Sequence, residues 1–308
     1  MTDARLKFPA ELSGFAFGDA RLDRSDALRD DAGALLRLWA HARVIVLEAD
    51  GSAFADDAGQ LLVTRGAALG NGLGTAVFLG LQGEQAWFSV DAQVLPLTAP
   101  RRIDLRSAAA TWPAAESSAF AFARAMQHWR SRSRYCGICG GANEFRRAGY
   151  VAHCTQCAAD QYPRVDPAII VAVSDGQRLL LGRQSGWPAR RYSVIAGFVE
   201  PGESLEQTVV REVFEETRVR VRSCRYLGAQ PWPFPGALML GFTADAEPDP
   251  PQVDGELEEA RWFDLEEISA ARQRKGDDQS GMLLSPSISI ARSLIEHWYA
   301  GMTTGSGR

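Results

Sequence analysis

The feature that most constrains this chain is a pair of Cys-x-x-Cys turns placed close together. Cys136 and Cys139 form the first turn, and Cys154 and Cys157 form the second. Each such turn directs two thiolates at one point, so two turns supply the four ligands of a tetrahedral Zn²⁺ site. The surrounding block, residues 131–162, is rich in glycine and short of apolar residues, so no hydrophobic core can hold it. The sequence therefore predicts a zinc ribbon with one structural Zn²⁺, because a closed shell of four thiolates leaves no position for substrate.

The composition is that of an ordinary globular protein. Hydrophobic residues make up 46% and charged residues 23% of the chain, and the formal net charge is −5. This acidic balance disfavours a protein held mainly by nucleic-acid phosphates. No apolar run approaches the ~18 residues of a membrane-spanning helix, and the first residues lack the basic-then-apolar pattern of a signal peptide. We therefore expect no membrane association and a cytoplasmic location, where clustered thiols bind metal rather than form disulfides.

Changes of pattern along the chain predict four segments. Residues 1–130 carry short strand-like runs followed by a helix, which predicts an N-terminal α/β domain without a catalytic constellation. Residues 131–162 form the zinc ribbon. In residues 163–301 strands and helices are mixed, which predicts a second α/β domain. Residues 302–308 are rich in glycine, serine and threonine and are expected to be a disordered tail.

An acidic stripe follows a glycine-containing loop in the segment 163–301. Glu212, Glu215 and Glu216 lie at positions i, i+3 and i+4 of a helix predicted from about residue 204 to residue 217. They fall within an arc of about 100° beside an apolar arc. Three carboxylates this close repel one another, and a hard cation such as Mg²⁺ or Mn²⁺ converts the repulsion into binding. Acidic stripes are usually solvated faces, but this one borders the buried face and so predicts a divalent metal site.

The residues around this stripe resemble the signature of the Nudix hydrolases. The matching positions are Gly197, Glu203, Arg211, Glu212, Val213, Glu215, Glu216 and Val219. The later glycine of the signature is replaced by Arg218, at a position where glycine most easily forms a left-handed helix end. The resemblance implies an α/β (α+β) fold, in which a mixed-sheet α/β/α sandwich follows the zinc ribbon and the N-terminal α/β domain.

The Nudix resemblance also implies a loop-helix-loop metal site. Arg211 would pair with Glu203 and brace the loop, which is a structural task. Mg²⁺ or Mn²⁺ would be held by the glutamates of the stripe, with the Ala196 carbonyl and Glu256 as further ligands. The neighbouring acids Glu258 and Glu259 leave the identity of that last ligand open. The catalytic set implied is Glu212, Glu215, Glu216 and Glu256.

A proline-rich segment after the predicted helix indicates which group of Nudix hydrolases the chain resembles. Residues 229–239 read Ala-Gln-Pro-Trp-Pro-Phe-Pro-Gly-Ala-Leu-Met. Prolines at alternate positions forbid a helix and disfavour a central strand, so we expect a stiffened loop. The segment resembles the Ser-Gln-Pro-Trp-Pro-Phe-Pro-x-Ser motif of NADH pyrophosphatases, in which a zinc ribbon also precedes the Nudix domain. Both serines are replaced here, by Ala229 and Ala237, and the second change removes a hydroxyl that the family would offer the substrate.

The same resemblance implies a dinucleotide site in a homodimer. Phe198 would stack on the nicotinamide ring, and Tyr162 of the partner subunit would close the sandwich. Gln230 and the Ala291 backbone would contact the dinucleotide. The full substrate-binding set implied is Tyr162, Phe198, Gln230, Pro231, Trp232, Pro233, Phe234, Pro235, Gly236, Ala237 and Ala291.

The function implied is hydrolysis of the pyrophosphate bond of NADH or NAD⁺, giving the nicotinamide mononucleotide and AMP. The family also suggests activity on RNA that carries a 5′ NAD cap. Two alternatives stay open. The first is a Nudix hydrolase of another substrate, such as ADP-ribose or a dinucleoside polyphosphate. The second is a zinc-ribbon RNA-binding module whose hydrolase has degenerated, which the intact Glu212, Glu215 and Glu216 set and the acidic pI disfavour.

Overall fold

The computed structural model describes residues 12–19, 21–94, 97–274 and 281–305. The chain divides into two compact units. The N-terminal unit comprises Ala16–Val165 and Pro231–Ala237. The C-terminal unit comprises Met1–Phe15, Asp166–Gln230 and Leu238–Arg308. The predicted segments 1–130 and 131–162 therefore fall mainly within one unit, and the tip of the proline-rich segment belongs with them.

The N-terminal unit is built on a mixed sheet. Its strands are β1 Arg43–Leu47, β2 Ala53–Ala55, β3 Val63–Arg65, β4 Val77–Gln82, β5 Gln85–Asp91 and β6 Arg101–Ile103. Its helices are α1 Ala32–Trp39, α2 Leu105–Thr111 and α3 Ala114–Arg132, with 3₁₀ turns at Asp26–Asp30, Gly66–Thr75, Ala92–Val94 and Arg147–Gly149. The strand order is β4-β5-β1-β2-β6, and β3 pairs with β1. Strands β1 and β5 run parallel, and the other pairs are antiparallel.

Both faces of this sheet are buried. Successive side chains of β1 point to opposite faces, so its consecutive apolar residues pack on both sides of the sheet. Ile45 packs in one apolar cluster with Phe120 and Met126 of α3. Val44 points to the other cluster, which contains Trp39 of α1. The sheet therefore lies between helices, and the predicted N-terminal α/β architecture is confirmed.

The cysteine block forms a small antiparallel sheet of its own. Its strands are β7 Asn143–Arg146, β8 Val151–Cys154 and β9 Asp160–Gln161. They pair in the order β7-β8-β9. Cys154 ends the central strand and lies opposite Asn143. The strands are short, so the turns that carry the cysteines stay close to one another.

The C-terminal unit contains a second mixed α/β sheet. Its strands are β10 Asp166–Ser174, β11 Leu179–Arg183, β12 Ile195–Phe198, β13 Val221–Trp232, β14 Ala237–Ala246 and β15 Glu259–Phe263. Its helices are α4 Leu205–Thr217, α5 Leu265–Gln273 and α6 Ile290–Gly305. The strand order is β13-β14-β10-β11-β15, and β12 pairs with β10.

Strand β10 is apolar on both sides because helices cover both faces of the sheet. Ile170 packs in a cluster with Leu294 of α6. Its neighbour Ile169 packs in the opposite cluster with Val209 and Val213 of α4. This is the expected α/β/α sandwich. Within the described ranges, no helix is both long and apolar enough to cross a bilayer.

The proline-rich segment is a hairpin rather than the predicted loop. Strand β13 continues to Trp232 and β14 begins at Ala237, so only residues 233–236 lie between the two strands. The prediction of a loop over residues 229–239 is wrong because β13 lies at the edge of the sheet. In an edge strand, a proline is tolerated where its nitrogen faces away from the neighbouring strand.

The end of the chain also differs from the prediction. Helix α6 extends to Gly305, so residues 302–305 are helical and the expectation of a disordered tail is wrong for them. Met302 packs against the apolar cluster beneath the helix. The hydroxyls of Thr303 and Thr304 bond to carbonyls of the preceding turn. Residues 306–308 lie outside the described ranges.

Helix α4 begins and ends as its sequence predicts. Ser204 and Gln207 form a reciprocal capping box at its start, which satisfies two main-chain donors. At its end, Arg218 adopts the left-handed conformation with φ 59° and ψ 11°. Its N–H donates to the Phe214 carbonyl over 2.8 Å. The guanidinium pairs with Asp254 at 3.0 Å, with both side chains about half exposed.

The left-handed end of α4 leads to a stability prediction. Arg218→Gly and Arg218→Ala both remove the ion pair with Asp254. Only glycine removes the steric cost of the left-handed backbone, which is about 1 kcal/mol for a residue with a Cβ. We expect Arg218→Gly to melt about 2–4 °C above Arg218→Ala in thermal unfolding. Equal melting temperatures for the two variants would show that the backbone is not strained there.

Candidate functional site

The four cysteines of the ribbon meet at one point. The Sγ atoms of Cys136 and Cys157 are 3.7 Å apart, and those of Cys139 and Cys154 are 3.5 Å apart. All four sulfurs lie within 4.8 Å of one another. A tetrahedral Zn²⁺ with bonds of about 2.3 Å separates its sulfurs by about 3.8 Å. The cluster therefore fits zinc in both ligand type and spacing.

Main-chain N–H groups stabilise the thiolates of this cluster. The N–H groups of Gln156 and Cys157 both approach the Cys154 Sγ at 3.4 Å, and that of Ile138 approaches the Cys136 Sγ at the same distance. The Cys157 N–H is the main reason that the pKa of Cys154 falls to about 6. A thiolate is thus available at neutral pH, which metal binding requires.

His153, which adjoins the cluster, is engaged elsewhere. Its Nδ1 lies 2.7 Å from a carboxylate oxygen of Asp160, the residue opposite it on β9. The four thiolates therefore complete the shell without an imidazole ligand.

The glutamates of α4 differ in burial. Glu216 is 4% exposed, the Glu212 side chain is 12% exposed, and the Glu215 side chain is 55% exposed. Helix geometry explains this order, because Val209 and Val213 are fully buried and Glu216 continues their stripe. The sequence predicted that all three glutamates lie on one face of the helix, but it did not predict which of them is buried.

Glu216 carries the most perturbed carboxyl group of the site. Burial, followed by the charges of Glu256 and Glu212, raises the pKa of Glu216 to about 8. In the described part of the chain, no cation or hydrogen-bond donor contacts its side chain. A buried carboxyl surrounded by acids favours ionisation only when a cation is present. The donor set is all oxygen, so it fits a hard divalent cation such as Mg²⁺ or Mn²⁺.

The three acids near the start of β15 have different partners. Glu258 pairs with Arg183, and Glu259 accepts a hydrogen bond from the Tyr192 hydroxyl at 2.5 Å. Glu256 is exposed, and its charge acts on both buried glutamates of α4. Of the three acids, Glu256 is the one whose charge acts on Glu212 and Glu216.

Arg211 braces the loop before α4, as predicted. Its Nε and Nη2 donate to the two carboxylate oxygens of Glu203 at 2.6 and 2.9 Å. The same Nη2 donates to the Phe198 carbonyl at 3.0 Å. Glu203 also accepts bonds from the Glu200 N–H and the Thr208 hydroxyl. These donors, the Arg211 guanidinium first, lower the pKa of Glu203 to about 2.

Arg211 also holds two glutamates of the stripe. Its Nη1 lies 2.9 Å from Glu212 and 2.9 Å from Glu215. Within the described ranges, the cysteine cluster is the only group of three or more acidic, histidine or cysteine residues with ligand atoms within 4.8 Å of one another. The carboxylate oxygens are therefore spaced more widely than the sulfurs of the ribbon.

Gly197 lies directly against Glu212. A Cβ on Gly197 would fall 1.9 Å from the Glu212 Cδ. The φ of Gly197 is not in the left-handed region, so proximity rather than backbone strain requires glycine here. Ala196, the expected carbonyl ligand, is half-buried beside it on β12 and pairs with Ile170.

Two predicted stacking residues present exposed rings. Phe198 in the C-terminal unit is 60% exposed, and Tyr162 in the N-terminal unit is 58% exposed. An exposed aromatic ring offers a flat apolar face on which a base or another ring can stack. Both rings are accessible for stacking, each within its own unit.

Two other predicted substrate contacts lie in the protein interior. Gln230 is 0% exposed; its amide donates to the Ile288 carbonyl at 2.8 Å and accepts from the Ile290 N–H at 2.8 Å. Its side chain therefore organises the start of α6 and is not exposed for the predicted contact. The Ala291 N–H lies 3.1 Å from the Ser289 hydroxyl, and Ala291 is 3% exposed.

Comparison with known proteins identifies the family. Residues 163–283 match the family model of the NUDIX domain, and residues 131–162 match that of the NADH pyrophosphatase zinc ribbon domain. The NAD-capped RNA hydrolase NudC of Mycobacterium bovis is 38% identical over 301 residues, which cover 90% of this chain and 92% of that protein. The chain belongs to the Nudix hydrolases that carry this zinc ribbon.

Two further comparisons cover less of this Nudix hydrolase. The human NAD-capped RNA hydrolase NUDT12 is 40% identical over 194 residues, covering 59% of this chain and 42% of that protein. The crystal structure of a NUDIX hydrolase from Nitrosomonas europaea covers 56% of this chain and 93% of its own, with 19% identity and a TM-score of 0.45.

The hairpin tip of this Nudix hydrolase is mostly aromatic and proline. The rings of Trp232 and Phe234 lie 4.9 Å apart, and each is half-buried in the N-terminal unit. Ala237 is 9% exposed, so the position of the missing hydroxyl is largely covered. The remaining predicted contacts in the tip are exposed Pro231 and Pro235, buried Pro233 and half-buried Gly236.

The cysteine cluster predicts a metal content. We expect about one Zn²⁺ per chain in freshly purified protein. Cys154→Ser should lose the metal and lower the melting temperature, because the closed shell holds the ribbon together. Cys224→Ser is the matched control, since Cys224 lies half-buried outside the cluster and should leave the zinc content unchanged. Zinc-free wild-type protein by elemental analysis would overturn the assignment.

The contact between Gly197 and Glu212 predicts a loss of activity. Gly197→Ala must displace the Glu212 carboxylate, and misplacement by about 1 Å costs about a hundredfold in rate. We expect this loss in steady-state pyrophosphate hydrolysis, with the fold retained by circular dichroism. Gly186→Ala is the control, because a Cβ there meets nothing within 4 Å. Wild-type rates for Gly197→Ala would show that Glu212 is not needed where the structure places it.

Proposed function

We propose that this Nudix hydrolase cleaves the pyrophosphate bond of NADH or NAD⁺, giving the nicotinamide mononucleotide and AMP. We extend the proposal to removal of NAD caps from RNA 5′ ends. The observation that carries it is the similarity along 90% of the chain to a protein named NAD-capped RNA hydrolase. The retained carboxylate stripe supports it, because the alternative of a degenerate hydrolase would not preserve a buried acid at this position.

The residues proposed to hold Mg²⁺ or Mn²⁺ are Glu212, Glu216, Glu256 and the Ala196 carbonyl. When bound, the cation would neutralise charge on the two phosphates and acidify the attacking water. Glu216 supplies a desolvated carboxyl group, and Gly197 leaves space beside Glu212. Glu215 completes the proposed catalytic set on the same helix face, where Arg211 orients it.

Recognition of the dinucleotide is proposed to depend on aromatic stacking. The exposed Phe198 ring would stack on nicotinamide, and Tyr162 of the partner subunit would cover the other face. The hairpin tip would contribute Trp232 and Phe234, with the prolines that hold them. The same proposal includes a contact from the Ala291 backbone.

A homodimer and a cytoplasmic location belong to the same proposal. A dimer would let each subunit lend its Tyr162 ring to the other, and the exposure of that ring supports this role. The thiolate cluster suits a reducing compartment. Light scattering should give twice the 33.5 kDa chain mass, and a monomer with full activity would refute the shared site.

Product analysis on a substrate panel tests the activity. Purified enzyme is given NADH, NAD⁺, ADP-ribose or NAD-capped RNA with either Mg²⁺ or Mn²⁺. We expect nicotinamide mononucleotide (or its reduced form) and AMP from the free dinucleotides, and 5′-monophosphate RNA from the capped RNA. Glu216→Gln is the impaired control, and its kcat should be lower than that of the wild type by more than about tenfold. Preferred hydrolysis of ADP-ribose would support the broader nucleotide-pyrophosphate alternative instead.

The stacking role of Phe198 predicts a substrate-selective defect. Ring stacking is worth about 0.5–1.5 kcal/mol, so Phe198→Ala should raise KM for NADH roughly three- to tenfold. KM for ADP-ribose, which has no nicotinamide, should change little. Tyr226→Ala is the control because Tyr226 is 50% exposed in the same unit and lies outside the proposed site. Equal losses on both substrates would contradict a nicotinamide pocket.

A further inference from the structure

The hairpin tip, Pro231–Ala237, receives support from two arginines that the proposed function does not use. Both lie in the N-terminal unit with the tip: Arg106 on α2 and Arg124 on α3. The Nη1 of Arg124 donates a hydrogen bond to the Pro233 carbonyl. No motif in the sequence draws attention to either arginine.

The same two guanidinium groups lie against the aromatic rings of the tip. The Arg106 Cζ is 4.1 Å and the Arg124 Cζ is 5.1 Å from the centre of the Phe234 ring. Arg106 is also 5.5 Å from the centre of the Trp232 ring. The Phe17 ring packs on both tip rings at 6.1 Å. Cations within about 6 Å of an aromatic ring are attracted to it, so the tip rings have fixed partners.

Arg124 is itself held in place. Burial, with the nearby charge of Arg106, lowers the pKa of its guanidinium. A Cβ on Gly51 would fall 2.6 Å from the Arg124 Nε, so the arginine lies directly on the turn after β1. Within the described ranges, neither Arg124 nor Arg106 forms an ion pair with a carboxylate. The charges of Asp50 and Asp104 favour the Arg124 cation, but the hydrogen bond and the ring contacts are made to the hairpin tip.

The tip needs such support because of its composition. Prolines at positions 231, 233 and 235 have no N–H, so three of its residues cannot donate a main-chain hydrogen bond. One internal main-chain bond, from the Phe234 N–H to the Trp232 carbonyl at 2.7 Å, is present. The conformation of the tip must therefore be set largely by side chains from outside it.

We propose that Arg124, assisted by Arg106, is a positioning residue that fixes the hairpin tip in its dinucleotide-binding conformation. The N-terminal domain would then determine substrate affinity without touching the reacting atoms. An ordered tip loses less conformational entropy when substrate binds, so its loss should appear in KM rather than in kcat. This inference rests on the proposed function, since the tip is assigned to the substrate there.

The chain offers a matched control on the same helix. Arg130 of α3 also donates to a main-chain carbonyl, that of Thr75 at 2.9 Å. It also lies over an aromatic ring, Phe145, at 4.5 Å. Arg130→Ala therefore removes the same kinds of contact as Arg124→Ala, but away from the hairpin tip.

The test compares Arg124→Ala, Arg124→Lys and Arg130→Ala in the full-length, metal-supplied enzyme. We expect Arg124→Ala to raise KM for NADH roughly tenfold, the scale of one hydrogen bond to a charged group, with kcat within about twofold. Arg124→Lys keeps a cation and a donor and should recover part of the loss. Arg130→Ala should leave KM unchanged even if it lowers the melting temperature.

Hydrogen exchange of the peptide that contains residues 231–237 gives a readout without substrate. Exchange there should accelerate in Arg124→Ala and stay at the wild-type rate in Arg130→Ala. Unchanged exchange in Arg124→Ala, or equal KM changes in both alanine variants, would overturn the positioning role. Failure of the proposed function can be distinguished from failure of the positioning role. In the former case the wild-type enzyme would leave NADH intact, whatever the hydrogen-exchange rates of the variants.

Discussion

The carboxylate site depends on one arginine that joins three elements. Arg211 connects the loop through Glu203, the end of β12 through the Phe198 carbonyl, and α4 through its own glutamates. A guanidinium group is suited to this because its donors form a rigid planar fork. Because Arg211 also bonds to the Phe198 carbonyl, the same side chain fixes the glutamates and the backbone that carries the exposed Phe198 ring. Disturbing the brace would therefore shift the proposed metal ligands and the Phe198 ring together.

The cysteine cluster and the glutamates of α4 differ in how closely their like charges are placed. In the ribbon, four sulfurs lie within 4.8 Å of one another, and main-chain N–H groups donate to the sulfurs of Cys136 and Cys154. In the carboxylate site the acids are spread, and burial leaves Glu216 with a pKa of about 8. The first arrangement favours a tightly enclosed structural ion. The second is the arrangement proposed for a catalytic cation, which needs open coordination positions for water and phosphate.

The departures from the predicted fold have a common cause. Proline alternation predicted a loop, yet β13 reaches Trp232 because an edge strand does not need every N–H. The glycine- and threonine-rich end predicted disorder, yet α6 continues because Met302 packs on the core. In both places local composition was outweighed by the position of the segment in the tertiary structure. The same is true of Gln230, whose amide is buried at the start of α6.

The sequence by itself determined the features that depend on short spacings: the paired cysteine turns, the glutamates at i, i+3 and i+4, and the short strand-like runs. Such patterns are local, because helix and strand periods are set by backbone geometry. Only the tertiary structure decided that Glu216 is the buried acid, that the charge of Glu256 acts on it, and that Gly197 must lack a side chain. It also brought Arg124 to the hairpin tip. These outcomes depend on segments distant in sequence coming into contact, and burial and proximity are fixed only when those segments pack.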